Sequence, residues 1–172
     1  MGNTKITVPQ RKNHRIGVFV DVSNMYHSAK NLYHNRVNFK ELLKLVTAGR
    51  ELVRAVAYVV KSDTDEEKAF FSALEKAGYE LKSKDLQIFP GGMKKGDWDV
   101  AIAIDAITLS KLVDVVVLVS GDGDYEPLVE YLKFNGLVVE VAAFGRSSSQ
   151  RLIDMAHNFT DLEEHKEKML LK

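Results

Sequence analysis

The run Val115-Val116-Val117-Leu118-Val119 restricts the fold of this chain more than any other stretch. Five consecutive apolar residues, mostly β-branched, leave no polar face, so a strand built from them is covered on both sides. Such strands belong to parallel sheets flanked by helices. Comparable segments recur: Ile16 to Val20 reads as a first strand, Leu52 to Val60 as a second and Leu137 to Phe144 as a later one. Tyr79 to Phe89 reads as a strand or hairpin with Leu81, Leu86 and Ile88 inward, broken by Pro90-Gly91-Gly92 and followed by a loop over Met93 to Gly96.

Helical patterns fill the gaps. Asn38 with Glu41, and Thr64 with Glu67, have the spacing of capping boxes. Phe39, Leu42, Leu43 and Val46 then recur on one helical face, as do Phe70, Leu74 and Ala77. Val22-Ser23-Asn24 reads as a turn before a helix from Met25 to Tyr33. Asp97 to Leu112 reads as a helix buried over much of its surface, and Pro127 fits only the first turn of a helix over Tyr125 to Phe134. Gln150 to Ala156 reads as a short helix, and His157 to Lys172 as a docked strand-like piece and a charged helix. Strands alternating with helices predict an α/β fold with a mostly parallel central sheet and helices on both faces. The boundaries expected are a flexible, polar tail over residues 1–15 and a single domain over 16–172.

Composition narrows the function. The 172 residues carry 24 basic and 24 acidic side chains, which argues against a polybasic nucleic-acid binder but not against an enzyme with a local basic rim. With no cysteine, thiolate metal sites and disulfide scaffolds are excluded, which fits a reducing, cytoplasmic setting. No apolar run reaches the roughly 18 to 20 residues that span a bilayer, so no membrane partner is expected.

In a parallel sheet the C-terminal ends of the strands share one edge, where ligands bind. Asp21 follows the first strand and Ser120-Gly121-Asp122-Gly123-Asp124 follows the Val115–Val119 strand, so topology brings these acids to one edge. Asp63 is better read as part of a cap. Clustered carboxylates repel unless protons or cations neutralise them, and hard oxygen ligands suit Mg²⁺ or Mn²⁺. The competing reading is that a single Asp after a strand caps a helix, and Asp124 is the member of the motif best suited to that role. Asp99, near the start of its helix, can face the edge, whereas Asp105 lies six residues on, about 240° round the helix.

Asp21-Val22-Ser23-Asn24, Lys95-Gly96-Asp97-Trp98-Asp99-Val100 running on to Asp105, and Ser120-Gly121-Asp122-Gly123-Asp124-Tyr125 together resemble the NYN domain of the PIN-like nuclease superfamily, in its bacterial LabA-like branch. The likeness runs from about Ile16 to Leu162 and takes in Gly145 and Arg151-Leu152. It implies a three-layer Rossmann-like (PIN-like) fold and a metal-dependent ribonuclease. The family's acids map onto Asp21, Asp99, Asp122 and Asp124, with Asn24 as a polar helper and Asp105 as a recurrent acid whose role is open. Many members of that branch have no demonstrated activity.

The resulting expectation is an acidic Mg²⁺ or Mn²⁺ site on Asp21, Asp99, Asp122 and Asp124, with Asp105 as a further tentative ligand. The site activates water for attack on a phosphodiester of single-stranded RNA. Asn24 joins the acids as a catalytic group, and Ser23, Lys94, Lys95, Arg146, Ser147 and Arg151 are the expected nucleic-acid contacts. A plain solvated role for each cation stands beside that reading. The alternative function is a catalytically weak or inactive PIN-like module that binds RNA or protein, and a homodimer is left open. The chain has no GxxxxGK[ST] phosphate loop, and Asp21-Val22-Ser23-Asn24 lacks the Asp-x-Asp-x-Thr nucleophile of haloacid-dehalogenase relatives, which points away from those phosphoryl-transfer classes.

Overall fold

The computed structural model describes residues 7–88, 90–91, 94–95 and 97–172, and of Ile88, Lys94 and Lys95 it describes the backbone alone. The chain runs β1 (Arg15–Asp21), α1 (Val22–Tyr33), α2 (Phe39–Thr47), β2 (Glu51–Lys61), α3 (Asp65–Ala77), β3 (Glu80–Asp85), β4 (Gln87–Ile88), β5 (Lys94–Lys95), α4 (Asp99–Leu109), β6 (Val115–Val119), α5 (Glu126–Phe134), β7 (Val138–Ala143), α6 (Gln150–Met155), β8 (Asn158–Asp161) and α7 (Lys166–Met169).

The main sheet has six strands in the order β3-β2-β1-β6-β7-β8, and every neighbouring pair is parallel. The chain starts at the centre, winds out to β3, returns to lay β6 beside β1 and winds out the other way to β8. The direction of winding therefore reverses between β1 and β6, where Val20 is in register with Val119. That reversal opens a crevice at the carboxyl ends of the two strands.

Alternate residues of each central strand serve opposite cores. Val18 and Val20 of β1, Ala57 and Val59 of β2, and Val117 and Val119 of β6 pack with Met25 of α1, Leu42 of α2, Leu74 of α3 and Met169 of α7. Phe19, Tyr58, Val116 and Leu118 face the other way, onto Ile102 of α4, Val129 of α5 and Leu152 of α6. Each fully buried Leu, Ile, Val or Phe side chain contributes about 1.5–3 kcal/mol of transfer free energy, which is why β6 tolerates no polar residue. The expected three-layer α/β architecture is present.

Several local expectations change. Val22, Ser23 and Asn24 form the first turn of α1 instead of a separate turn, because the Asp21 carboxylate accepts the Asn24 N–H at 3.2 Å and starts the helix immediately. The stretch after β4 is half of a hairpin, with Gln87 paired to Lys95 in an antiparallel ladder. Gly91 supplies the turn with φ of 96°. Helix α4 buries only the stripe Ile102, Ala106 and Leu109, leaving Val100 72% and Ile104 58% exposed. The expectations for Lys94, Lys95 and Ile88 as contacting or inward side chains lie outside the described residues. So does residues 1–6 of the expected tail, while Val8 exchanges two hydrogen bonds with the Asn158 side chain, at 2.9 and 2.8 Å.

One charged pair is buried away from the crevice. Arg50 donates from both terminal nitrogens to Glu140, at 3.0 and 2.8 Å, and also reaches the carbonyls of Val46 (2.7 Å) and Thr47 (3.1 Å). Asn158 donates to the same carboxylate at 3.2 Å.

Candidate functional site

The crevice between β1 and β6 is built by short-range backbone geometry. Asp21 ends β1 and caps α1. In the first turn of α1, the Asn24 side-chain oxygen accepts the Gly121 N–H at 3.0 Å and so ties the helix to the loop after β6. From the far side, Ser149 donates its backbone N–H to the Gly121 carbonyl at 2.9 Å. Gly121 is required here: a Cβ would lie 2.4 Å from the Ser148 hydroxyl oxygen and 3.0 Å from its Cα. The Asp122 carboxylate accepts the Asp124 N–H at 2.9 Å and caps the single turn Gly123–Tyr125 that leads into α5. Capping therefore falls to Asp122, not to Asp124 as the bare motif suggested.

Asp99, in the first turn of α4, Asp122 and Asp124 each present a carboxylate oxygen, and these atoms all lie within 4.8 Å of one another. Asp99 and Asp122 are half-buried and Asp124 is exposed. Among the described residues, none of the three forms an ion pair. Two like unit charges 4 Å apart repel by about 4 kcal/mol at an effective dielectric near 20. The donor set is all carboxylate oxygen, which suits Mg²⁺ or Mn²⁺ and not a soft metal.

Asp21 lies behind this group and is not part of it. It is buried, and its carboxylate accepts the Tyr125 hydroxyl at 3.1 Å as well as the Asn24 N–H. Burial pushes its pKa up, with the Asp122 charge adding to the rise, against the hydrogen bonds from Asn24, Tyr125 and Ser120. Burial also raises Asp99, helped by the charges of Asp122, Asp21 and Asp97 and opposed by a hydrogen bond with Tyr125. The Tyr125 hydroxyl is driven far above its ordinary value by burial and then by the two acids, so it stays protonated.

The other expected residues scatter. Asp105 is not with the triad: it accepts Lys82 at 2.6 Å and the Tyr58 hydroxyl at 2.7 Å, and those bonds outweigh burial to hold its pKa below the usual range. Arg146 pairs with Glu163 at 3.0 Å, and Arg151 with Glu126 at 3.3 Å. The Ser147 hydroxyl donates to the Phe144 carbonyl at 3.3 Å, and Ser23 sits in the first turn of α1. The Trp98 ring nitrogen donates to the Val59 carbonyl at 3.1 Å and anchors the start of α4. Beside Asp124 opens a shallow groove of about 580 Å³ whose charged lining includes Glu126, Glu130 and Arg151. Sequence reasoning assigned no role to Tyr125. The available signal was its position directly after two acids, at the entry of a helix that turns one face inward.

The family model described as the NYN domain matches residues 15–163. The low amplitude and bright protein LabA of Synechococcus elongatus is 24% identical over 168 residues, covering 87% of this chain and 84% of that relative. A protein of unknown function from Vibrio parahaemolyticus, solved as a crystal structure, superposes with a TM-score of 0.85 at 34% identity, over 95% of this chain and 100% of that one.

Proposed function

The chain belongs to the NYN domain family, and from that membership we propose that it is a metal-dependent nuclease cutting single-stranded RNA at the β1–β6 crevice. The observation that carries the reading is the Asp99–Asp122–Asp124 group, three carboxylate oxygens within 4.8 Å of one another and, among the described residues, without an ion-pair partner. We read residues 16–172 as one domain with this as its site.

In this reading Asp99, Asp122 and Asp124 hold Mg²⁺ or Mn²⁺. When bound, such an ion supplies positive charge to the scissile phosphate and makes water more acidic. The chain's own residues do the rest. Asn24 holds Gly121, and with it the loop that carries Asp122 and Asp124. Asp21 stands behind them. Arg146, Arg151, Ser147 and Ser23, with Lys94 and Lys95 from the hairpin, flank the path of the RNA backbone. Among the described residues Arg151 pairs with Glu126, and its side chain is 83% exposed, so it is free to exchange that partner for a phosphate. The carboxylates of the neighbouring groove repel a polyanion, so RNA binding itself depends on the cation.

The test incubates labelled single-stranded RNA with the protein in Mn²⁺, Mg²⁺ or EDTA, beside Asp122→Asn. Cleavage with either metal that disappears in EDTA and in the variant is expected. Cleavage that survives both overturns the metal mechanism. RNA retained uncut by a protein that binds the metal favours the regulatory binding module instead.

A further inference from the structure

We infer that the exposed face of α1 is the track along which a single RNA strand leaves the crevice, with Tyr26 as the stacking platform for one base and His27 and Lys30 as contacts to the adjoining backbone. The inference rests on the nuclease reading above and adds a substrate-binding surface to it.

Three observations lead to it. The first is where the helix lies. Asp21, at the end of β1, caps the start of α1, and Asn24 ties the first turn to Gly121, beside Asp122. The last turn meets the exit of β7. There the Tyr33 ring packs against Phe144 at 5.6 Å between centroids, and Arg146 lies over the same ring at 5.6 Å and donates to its hydroxyl at 3.3 Å. Both ends of α1 are held by residues at the carboxyl ends of strands, so the helix borders the crevice.

The second is what its outer face carries. Met25, Ser28 and Ala29 are buried. Ser23, Tyr26, His27 and Lys30 recur at the spacing of one helical face, and the last three are exposed. Tyr26 leaves 42% of its surface to solvent. Its ring meets His27 edge-on at 5.3 Å, and the Lys30 Nζ lies 5.6 Å from its centroid. Among the described residues Lys30 forms no ion pair, so its ammonium is available to a phosphate. An exposed aromatic ring beside such a cation offers what an unpaired nucleotide needs, a face for the base and a charge for the backbone. The bases of a duplex are already stacked on one another, so the platform selects a single strand.

The third is charge. The chain balances 24 basic against 24 acidic residues, yet residues 22–40 contain no acid and include Lys30, Arg36 and Lys40. Each of the helices α2 to α7 carries at least one Asp or Glu, and α1 carries none. The groove beside Asp124, by contrast, is lined by Glu126 and Glu130 of α5, which packs on the opposite face of the sheet from α1. A polyanion reaching the crevice is therefore repelled on the α5 side and received on the α1 side.

The experiment mixes the full chain in Mg²⁺ with a short labelled RNA, either single-stranded or annealed to its complement. Binding is read by stopped-flow anisotropy before cleavage, and product is read from the same mixtures on gels. Wild type, Tyr26→Ala, Tyr26→Trp and Lys30→Met are compared. Tyr26→Ala is expected to weaken binding of the single strand about 5- to 150-fold, and Tyr26→Trp, which keeps an aromatic face, to bind as tightly as wild type. Lys30→Met is expected to lower the slope of log affinity against log salt by about 0.7, the loss of one phosphate contact to a single strand. Annealed RNA is expected to bind wild type and Tyr26→Ala alike. An equal loss on annealed RNA overturns the stacking platform, because only unpaired bases reach it. If wild type cuts the RNA and Tyr26→Ala binds and cuts within twofold of it, only this inference falls. RNA bound but left uncut, with the loss in Tyr26→Ala intact, supports the track and overturns the nuclease reading alone. If wild type neither binds nor cuts RNA, the nuclease reading falls and takes the inference with it.

Discussion

Charge is buried at two places in this molecule and handled in opposite ways. At Arg50–Glu140, a guanidinium with no exposed side-chain surface meets a carboxylate 6% exposed, and neighbouring carbonyls and Asn158 satisfy the remaining donors and acceptors. At the β1–β6 crevice, Asp21 and Asp99 are buried or half-buried beside Asp122, and among the described residues none of these acids forms an ion pair. The first arrangement is complete within the chain. The second, among the described residues, is completed by protons or a cation and not by an ion pair. A fold that can neutralise a buried carboxylate with arginine, and does so between the turn before β2 and β7, leaves the crevice acids without one among the described residues. That difference separates a structural charge from one kept for a ligand.

The largest expected effect breaks the complete pair. Arg50→Ala strands Glu140 in the core and is expected to cost about 3–5 kcal/mol in urea unfolding. Replacing both partners, as Arg50→Met with Glu140→Leu, is expected to recover most of that loss, because no charge is left unpaired. Neither change is expected to alter metal binding.

The next effect sharpens the other side of the comparison. Mn²⁺ at 100 times its dissociation constant is expected to stabilise the wild type by about 2.7 kcal/mol, read as a shift in the unfolding midpoint. Asp122→Asn is expected to abolish the shift. In EDTA the same variant is expected to be as stable as wild type or more stable by about 1 kcal/mol, since one of three mutually repelling charges is gone while asparagine still caps the turn. A loss of several kcal/mol in EDTA would mean that Asp122 is structural.

The two charged regions also differ in how far the sequence reveals them. The run Val115–Val119, flanked by helices with Asn38 and Thr64 caps, determines a parallel sheet with an acid-bearing edge, because burial on both faces and strand direction follow from local pattern. Asp99 joins Asp122 and Asp124 for a related reason: the helix it starts opens onto that edge. What local pattern does not carry is the partner of each charged group. Arg50 and Glu140 lie 90 residues apart and meet where the turn between α2 and β2 reaches β7. Lys82 reaches Asp105 from an outer strand, and that pair occupies the acid that the sequence offers as a further tentative ligand. Asp21 reads as a ligand equal to the others, whereas the structure buries it and gives it the Tyr125 hydroxyl as a hydrogen-bond donor. Helix α4 reads as buried because its apolar residues go all the way round, whereas the sheet covers only one stripe of them.

The smallest expected effect is one of pH, and it tests whether the crevice acids are incomplete on their own. Asp21 and Asp99 both have folded-state pKa values raised above the ordinary 3.8, so the folded chain takes up their protons more readily than the unfolded chain. Their contribution is fully present below 3.8 and is lost as pH rises through the raised values, so each group disfavours the folded state at neutral pH. Asp105 and Asp114 are shifted down, and their contribution is present above 3.8 and lost as pH falls through their lower values. The two windows lie on opposite sides of the ordinary value. In EDTA, lowering the pH from 7 toward the raised values is therefore expected to increase stability slightly, before further acidification removes it. Saturating Mn²⁺ is expected to reverse the slope in the same window, because protons then compete with the cation for Asp99. Urea midpoints measured across that range with and without Mn²⁺ check both signs. Asp21→Asn is expected to flatten the rise in EDTA and leave Arg50–Glu140 untouched. An EDTA slope of the opposite sign would mean that the crevice acids already find their compensation within the chain, as Glu140 does.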